Sequence, residues 1–400
     1  MKKSLLALAA MGAFAGAAQA QSSVTVYGLY DGGQNILKVK EVSSTGAITQ
    51  GQIGGFAGNA SASSRIGFRG VETLTNDLNA TFNYELAITP GSGALNTAAG
   101  SGSTDANVST APRTSTVGLV SKSLGSLQIG RALTGVHGVV AGDIWGGNNM
   151  IGDMTYSAFT STTTTSPQLI SAVNTVSARV SNQFTRLNNL VAYTTPVFSG
   201  ATLRFDWAAN TLTNDNYAGA QSSLQGATLL YNWKQFSFKA ATASSTYNDA
   251  QASTSIFTGV KTTINAASAM FTQGPFRIQY TYAANRADTV QVATSVANQQ
   301  ASRVRAQKLS AQFNVSPQVM IFAQYGIGGT EGTKVLSAAN NQTSDTAMQF
   351  GAEYSMSKRT SLYAAYGAQD RKTINTTAKA DMEQYAVGLR HAFWSDASNC

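Results

Sequence analysis

From Val24 onwards, apolar and polar residues alternate with a period of two, in segments of about ten residues. Leu78, Ala80, Phe82, Tyr84 and Leu86 fall on one face of such a segment, with Asn79, Thr81, Asn83 and Glu85 on the other. The same division separates Leu203, Phe205 and Trp207 from Thr202, Arg204 and Asp206. It separates Phe276, Ile278, Tyr280 and Tyr282 from Arg277, Gln279 and Thr281, and Met348, Phe350, Ala352 and Tyr354 from Gln349, Gly351 and Glu353. A period of two puts alternate side chains on opposite sides of a strand, so each segment is read as a strand with one greasy and one polar face.

The connections between segments alternate in length. Seven short ones, rich in turn formers, fall at Thr75 to Asp77, Lys122 to Gly125, Pro196 to Gly200, Lys234, Gln273 to Pro275, Ser316-Pro317 and Ser357 to Arg359. Eight long polar stretches lie between them, at 38–60, 89–111, 135–185, 209–224, 246–260, 287–302, 328–343 and 370–381. Fifteen connections imply about sixteen strands, an even number suited to an all-β, closed antiparallel transmembrane barrel with both chain ends on the short-turn side. A soluble β-sandwich would alternate as well, but it would need several domains with protected edges, and no linker or shift in composition marks one. Barrels of this size are too wide for their own side chains to fill, which makes the interior an aqueous channel.

Composition agrees with this reading. Only 12% of the 400 residues are charged, against about 25% in an average chain, and 37 are Gly. Lys2 and Lys3, the apolar stretch Leu5 to Phe14 and the small-x-small site Ala18-Gln19-Ala20 mark residues 1–20 as a cleaved export leader, too short in apolar length to span a bilayer. The 27 basic residues, less the two leader lysines, against 19 acidic leave a mature charge near +6. The single cysteine, Cys400, excludes intrachain disulfides and Cys-based metal sites, and the two histidines, His137 and His391, supply neither a metal pair nor a triad base. No catalysis, metal, cofactor or nucleic-acid partner is therefore expected. The glycine-rich run from Gly326 to Lys334 lacks the Gly-Lys-Ser/Thr ending of a phosphate loop.

Five landmarks carry a resemblance: Gln21 to Asp31 (QSSVTVYGLYD), Ser64 to Glu72 (SRIGFRGVE), Asn188 to Pro196 (NNLVAYTTP), Ser357 to Tyr363 (SKRTSLY) and Val387 to Phe393 (VGLRHAF). In kind and order they resemble the general porins of beta-proteobacteria. The resemblance implies a homotrimer of sixteen-stranded barrels in the outer membrane, each passing small hydrophilic solutes and ions. It also implies a third long loop, here 135–185, folded inward as a constriction, with outer-membrane lipid, lipopolysaccharide and the barrel assembly machinery as partners. A basic cluster on the wall would face that loop, at Arg65, Arg113 and Arg186.

Parity puts Arg65, Arg69, Glu85 and Asp31 in the lumen, and sets Arg186 opposite to Val191 and Tyr193; Arg113 reaches the lumen only above its strand or beside a bulge. Asp143 and Asp153 lie in the constriction loop and would oppose the arginines, and the mature charge tilts the balance toward a weak to moderate anion preference. Tyr385, Val387, Leu389 and Phe393 alternate outward on the last strand and form the closure and assembly signal. The barrel is bounded at 21–393, and residues 394–400 form a tail that the family lacks. A substrate-specific uptake channel and a non-channel adhesive barrel are the alternative readings.

Overall fold

The computed structural model describes residues 23–56, 58–91, 95–96, 112–142, 144–145, 150–155, 184–209, 221–248, 259–291, 301–331, 342–374 and 376–393. The leader, the 394–400 tail and Asp143 lie outside these residues. The described chain is one antiparallel sheet closed on itself. Its strands are β1 (Ser23–Val42), β2 (Ile48–Phe56), β3 (Arg65–Thr73), β4 (Leu78–Ile88), β5 (Leu95–Asn96), β6 (Thr114–Ser121), β7 (Gly125–Leu133), β8 (Arg186–Thr194) and β9 (Ala201–Ala209). They continue as β10 (Gln221–Trp233), β11 (Phe236–Asn248), β12 (Gly259–Gln273), β13 (Phe276–Gln291), β14 (Ala301–Asn314), β15 (Val319–Glu331), β16 (Thr343–Ser355), β17 (Thr360–Thr373) and β18 (Lys379–Phe393).

These make sixteen staves, because β2 and β3 share one, and β5, paired with the top of β4, lies in line with β6 on another. The upper half of β1, Gln34 to Val42, pairs with β2, whereas its lower half, Ser23 to Leu29, pairs with β3. The ring is closed by β1 against β18, in register from Gly28 opposite Phe393 to Val42 opposite Lys379.

All seven short turns fall where the turn formers put them. Lys234 and Gly274 take positive φ of 51° and 54° in two-residue turns, which a left-handed position requires. Ser316 and Ser357 each accept two backbone N–H groups with their hydroxyls, capping their turns. Hydroxyls of Ser121 and Ser123 donate to the Asp77 carboxylate across neighbouring turns, and these bonds hold it below the usual carboxylate range. The long connections are shorter than expected where strands run past the bilayer. The first of them, read as loop over 38–60, is mostly a polar hairpin of β1 and β2 turned at Ser43 to Ala47.

Alternation sorts the two faces. Leu203, Phe205, Trp207, Phe276, Tyr280, Tyr282, Met348, Phe350 and Tyr354 are exposed on the outer surface, as lipid-facing side chains are. Their polar neighbours Asp206, Gln279, Thr281, Gln349 and Glu353 are buried inside. Tyr385, Val387 and Leu389 point outward, and the Phe393 ring lies over Gly28. A Cβ at Gly28 would stand 2.3 Å from the Phe393 Cζ and 2.5 Å from the Arg65 carbonyl oxygen. Gly28→Val is therefore expected to weaken the closing seam by about 1–3 kcal/mol. The check is the temperature at which the folded band of the barrel is lost in semi-native electrophoresis; an unchanged temperature would show that the seam tolerates the side chain.

Candidate functional site

Two segments leave the wall and pack inside the barrel. The first is 58–64, between β2 and β3. Gly58 and Asn59 take positive φ of 58° and 61°, which turns the chain off the sheet. At Gly58 a Cβ would lie 2.1 Å from the Asp31 carbonyl oxygen, so this position needs glycine for space as well as for conformation. Asp31, fully buried on β1, is the seat. Its carboxylate accepts the N–H groups of Ser61 and Ala62, both at 2.8 Å, and the Tyr363 hydroxyl at 2.6 Å. Arg390 then donates to the Ser61 hydroxyl at 3.0 Å and to the Glu353 carboxylate.

The second segment belongs to the third long connection. Thr134 caps a short helix, α1 (Gly135–Val140), by accepting the His137 N–H at 3.3 Å, and Gly135 N–H donates to Asp206 at 2.6 Å. Val136, Val139 and Val140, spaced i, i+3 and i+4, turn one apolar stripe onto the inner wall. That wall has room for a helix because its inward positions are small: Ala208, Ala241, Ala243, Ala266 and Ala283 are all buried in the same cluster.

Beyond α1 the segment is held by amides. Gln279 donates to the Gly142 carbonyl at 2.6 Å, and Gln349 donates to the Ile151 carbonyl at 2.8 Å. Gln384 accepts the Ile151 N–H at 2.7 Å. An amide side chain offers both a donor and an acceptor, which is what an exposed backbone edge requires. Trp145 stacks on Phe322 with centroids 4.1 Å apart, meets Tyr363 edge-on, and donates its indole N–H to Glu353 at 3.1 Å. Asp153 forms a buried ion pair of 2.8 Å with Lys308. Met154 rests over Gly326 and Gly328, so two glycines of the run that lacked a phosphate-loop ending serve as its seat.

The sequence-derived charges fall into two groups. Arg65 and Arg113 converge on one carboxylate, Glu85, at 3.5 and 2.7 Å, and Arg113 stands immediately above β6. Arg390 lies within electrostatic reach of Arg65, and Arg69 packs over the Tyr27 ring at 5.3 Å. The parity count that put Arg186 in the lumen does not carry to it. A bulge between Gly130 and Ala132, opposite Asn189 at a positive φ of 53°, shifts the register, and Leu187 takes the fully buried position. Arg186 is placed instead by its proximity to His137 in α1. Asp31, expected in the lumen, is occupied as the seat of the first inturned segment, and Asp153, expected to face the arginines, is paired instead with Lys308.

Arg204, Asp206, Lys308, Glu353 and Arg390 were not singled out from the sequence. Parity marks each as inward, but nothing local distinguishes them from other lumenal polar residues. Four ion pairs share one asymmetry. In Arg65–Glu85, Arg204–Asp206, Arg371–Asp345 and Arg390–Glu353 the arginine side chain is 26–31% exposed and the acid only 3–13%.

A closed sheet with an apolar outer band and a charged, polar interior is the wall of an outer-membrane barrel. A family model for Gram-negative porins matches residues 7–374, and the chain belongs to that family. It is an outer-membrane protein, and the family and fold are those of channels rather than enzymes. An outer membrane porin protein of Bordetella pertussis is 32% identical over 230 residues, 55% of this chain, and the chain spans about half (51%) of that relative's length. An anion-selective porin from Comamonas acidovorans shares the fold at 20% identity, with a TM-score of 0.64 over 93% of this chain and 100% of that one. So does the trimer form of OmpT, an outer membrane protein of Vibrio cholerae, at 15% identity and a TM-score of 0.61 over 93% of this chain and 99% of that one.

Two expectations follow. Lys308→Met strands a buried carboxylate and is expected to cost about 3–5 kcal/mol, most of it recovered by adding Asp153→Leu. Urea unfolding followed by tryptophan fluorescence gives both numbers, and equal stability of all three proteins would show that the pair holds nothing. Burial, reinforced by Arg186 and Arg113, pushes the His137 imidazole from 6.5 down to about 3. The unfolded chain then takes up a proton that the folded chain refuses, so stability is full above pH 6.5 and falls as the pH drops toward 3. His137→Asn is expected to lessen the loss of stability between pH 7 and pH 4.5; an identical loss would assign the pH dependence to other groups.

Proposed function

We propose that this chain is a general diffusion porin with a weak to moderate preference for anions, working as a homotrimer of separately conducting barrels that pass small hydrophilic solutes. Residues 1–20 are its removed leader, 21–393 its barrel and 394–400 an atypical C-terminal extension, and Tyr385, Val387, Leu389 and Phe393 present the outward pattern read at assembly. The observation that carries the anion preference is the asymmetry of the lumenal ion pairs. A solute in the lumen meets guanidinium groups first, with the compensating carboxylates behind them. The potential of a narrow passage follows the charges nearest the solute, so nominally neutral pairs present a positive surface.

Arg65, Arg113, Arg186 and Arg390 lie on β3, next to β6, on β8 and on β18, every second stave of the arc that runs from β18 through β1, β3, β4, β6 and β7 to β8. The inturned third connection is anchored mainly on β10 to β18, and the passage runs between that segment and the arc. The anion-selective porin of Comamonas acidovorans and the trimeric form of Vibrio cholerae OmpT, which share this fold, support the selectivity and the assembly state respectively.

Planar-bilayer recording of the full chain in a salt gradient tests the reading. Conductance is expected in steps of three, with a reversal potential of anionic sign. Replacing both Arg65 and Arg113 with Gln is expected to lower the anion-to-cation permeability ratio about fivefold, equivalent to about 1 kcal/mol after ionic screening. A cation-signed reversal potential in the unmodified protein overturns the selectivity, and a folded barrel without conductance overturns the channel.

A further inference from the structure

The described residues of the third connection are seated on two separate cores. Val136, Val139 and Val140 of α1 and Met154 pack on the alanine-lined wall, and Thr155 donates its hydroxyl to the Val140 carbonyl at 3.2 Å, which ties the two ends of that seat together. Trp145 and Met150 lie in a different cluster, with Phe322, Tyr363, Ala365 and Ala386 of the wall. Among the described residues, the first inturned segment enters only the second of these cores, through Ala60.

Two polar bridges run beside the shared core. Glu353 accepts the Trp145 indole N–H on one carboxylate oxygen and Arg390 on the other, and the same guanidinium donates to the Ser61 hydroxyl at 3.0 Å. Tyr363 donates its hydroxyl at 2.6 Å to Asp31, the carboxylate that holds the Ser61 and Ala62 N–H groups, and its ring meets Trp145 edge-on with centroids 6.1 Å apart. Withdrawing 58–64 therefore opens the cluster around Trp145 and takes partners from both Arg390 and Asp31. A buried polar group left without its partner is costly, and a network of such groups is lost more readily as a whole than in part. α1 shares none of these contacts.

We infer that the 58–64 segment and the part of the third connection marked by Trp145 and Met150 keep or leave the wall together, as one two-position element with Arg390 as its common link, while α1 stays docked. The coupling is reciprocal, because each segment stabilises the seated position of the other. The width of the passage then depends on the first connection as much as on the third. This coupling is independent of the sign of the ion preference.

Cysteine labelling of the folded full chain, with Cys400→Ser to remove the native thiol, tests it. Met150→Cys and, separately, Val139→Cys on α1 report the opening of the two cores, since these positions are only 4% and 1% exposed. The rate of reaction with methyl methanethiosulfonate is read from the mass of the intact chain. Gly58→Ala puts a Cβ 2.1 Å from the Asp31 carbonyl oxygen and unseats the first segment. It is expected to speed labelling at position 150 about tenfold and to leave position 139 unchanged. Ser61→Ala removes a single hydroxyl and is expected to give a smaller rise at position 150; it carries the test alone if semi-native electrophoresis shows that Gly58→Ala does not fold. In the reverse direction, Trp145→Leu is expected to speed labelling of Ala60→Cys. Unchanged labelling at position 150 in the folded variants overturns the coupling. An equal rise at positions 139 and 150 overturns it as well, because the whole interior would then have loosened.

Discussion

A backbone crossing hydrocarbon has no water to bond to, so every N–H and C=O must find a partner within the protein. Here that requirement is met by pairing the first strand with the last, fifteen register positions from Gly28–Phe393 to Val42–Lys379. Closing the ring fixes everything else. It decides which side chains meet lipid and creates an interior too wide for wall residues alone to fill. It also brings Asp31, Glu353, Tyr363 and Arg390 into one network.

The interior is filled by backbone rather than by large side chains, and the division of labour among its charges follows from that. Inturned backbone presents N–H groups that need acceptors, and a carboxylate is the side chain with the greatest accepting capacity and nothing to donate. Asp31 takes two such groups and Asp206 takes one, which draws both acids under the folded segments. Arginine has only donors on a long stem; it reaches past its partner and keeps its head in solvent. At Asp206 the exposed cation over a buried anion is thus a by-product of how the loop is seated.

Strands and turns were legible because both are local. Period-two alternation and turn residues at Thr75, Lys234, Gly274, Ser316 and Ser357 need no distant partner to be read. The hairpin within 38–60 was hidden because beyond the bilayer neither of its faces has to be apolar. Glu85 was found by parity alone, and Arg65 by the family resemblance with parity in agreement. Parity failed to reach Arg186 because one bulge resets the count. Asp31 could be placed inside, yet its service to Ser61 and Ala62 depends on a break in the second stave that nothing in that stretch announces. The roles of Glu353 and Lys308 depend on partners 208 and 155 residues away, separations at which a single sequence carries no pairing signal.

Those separations also set an order of events. The third connection emerges from the chain before the strands that hold it: Gln279, Lys308, Gln349, Glu353 and Gln384 all follow it. Asp31 must await Tyr363, 332 residues later, before the 58–64 segment is fully seated. Contacts of such high sequence separation form late, after the entropy of long loop closure has been met. The closing seam joins Gly28 to Phe393 across a longer separation still, so the wall and its contents mature together, and the narrow passage forms only as the ring closes.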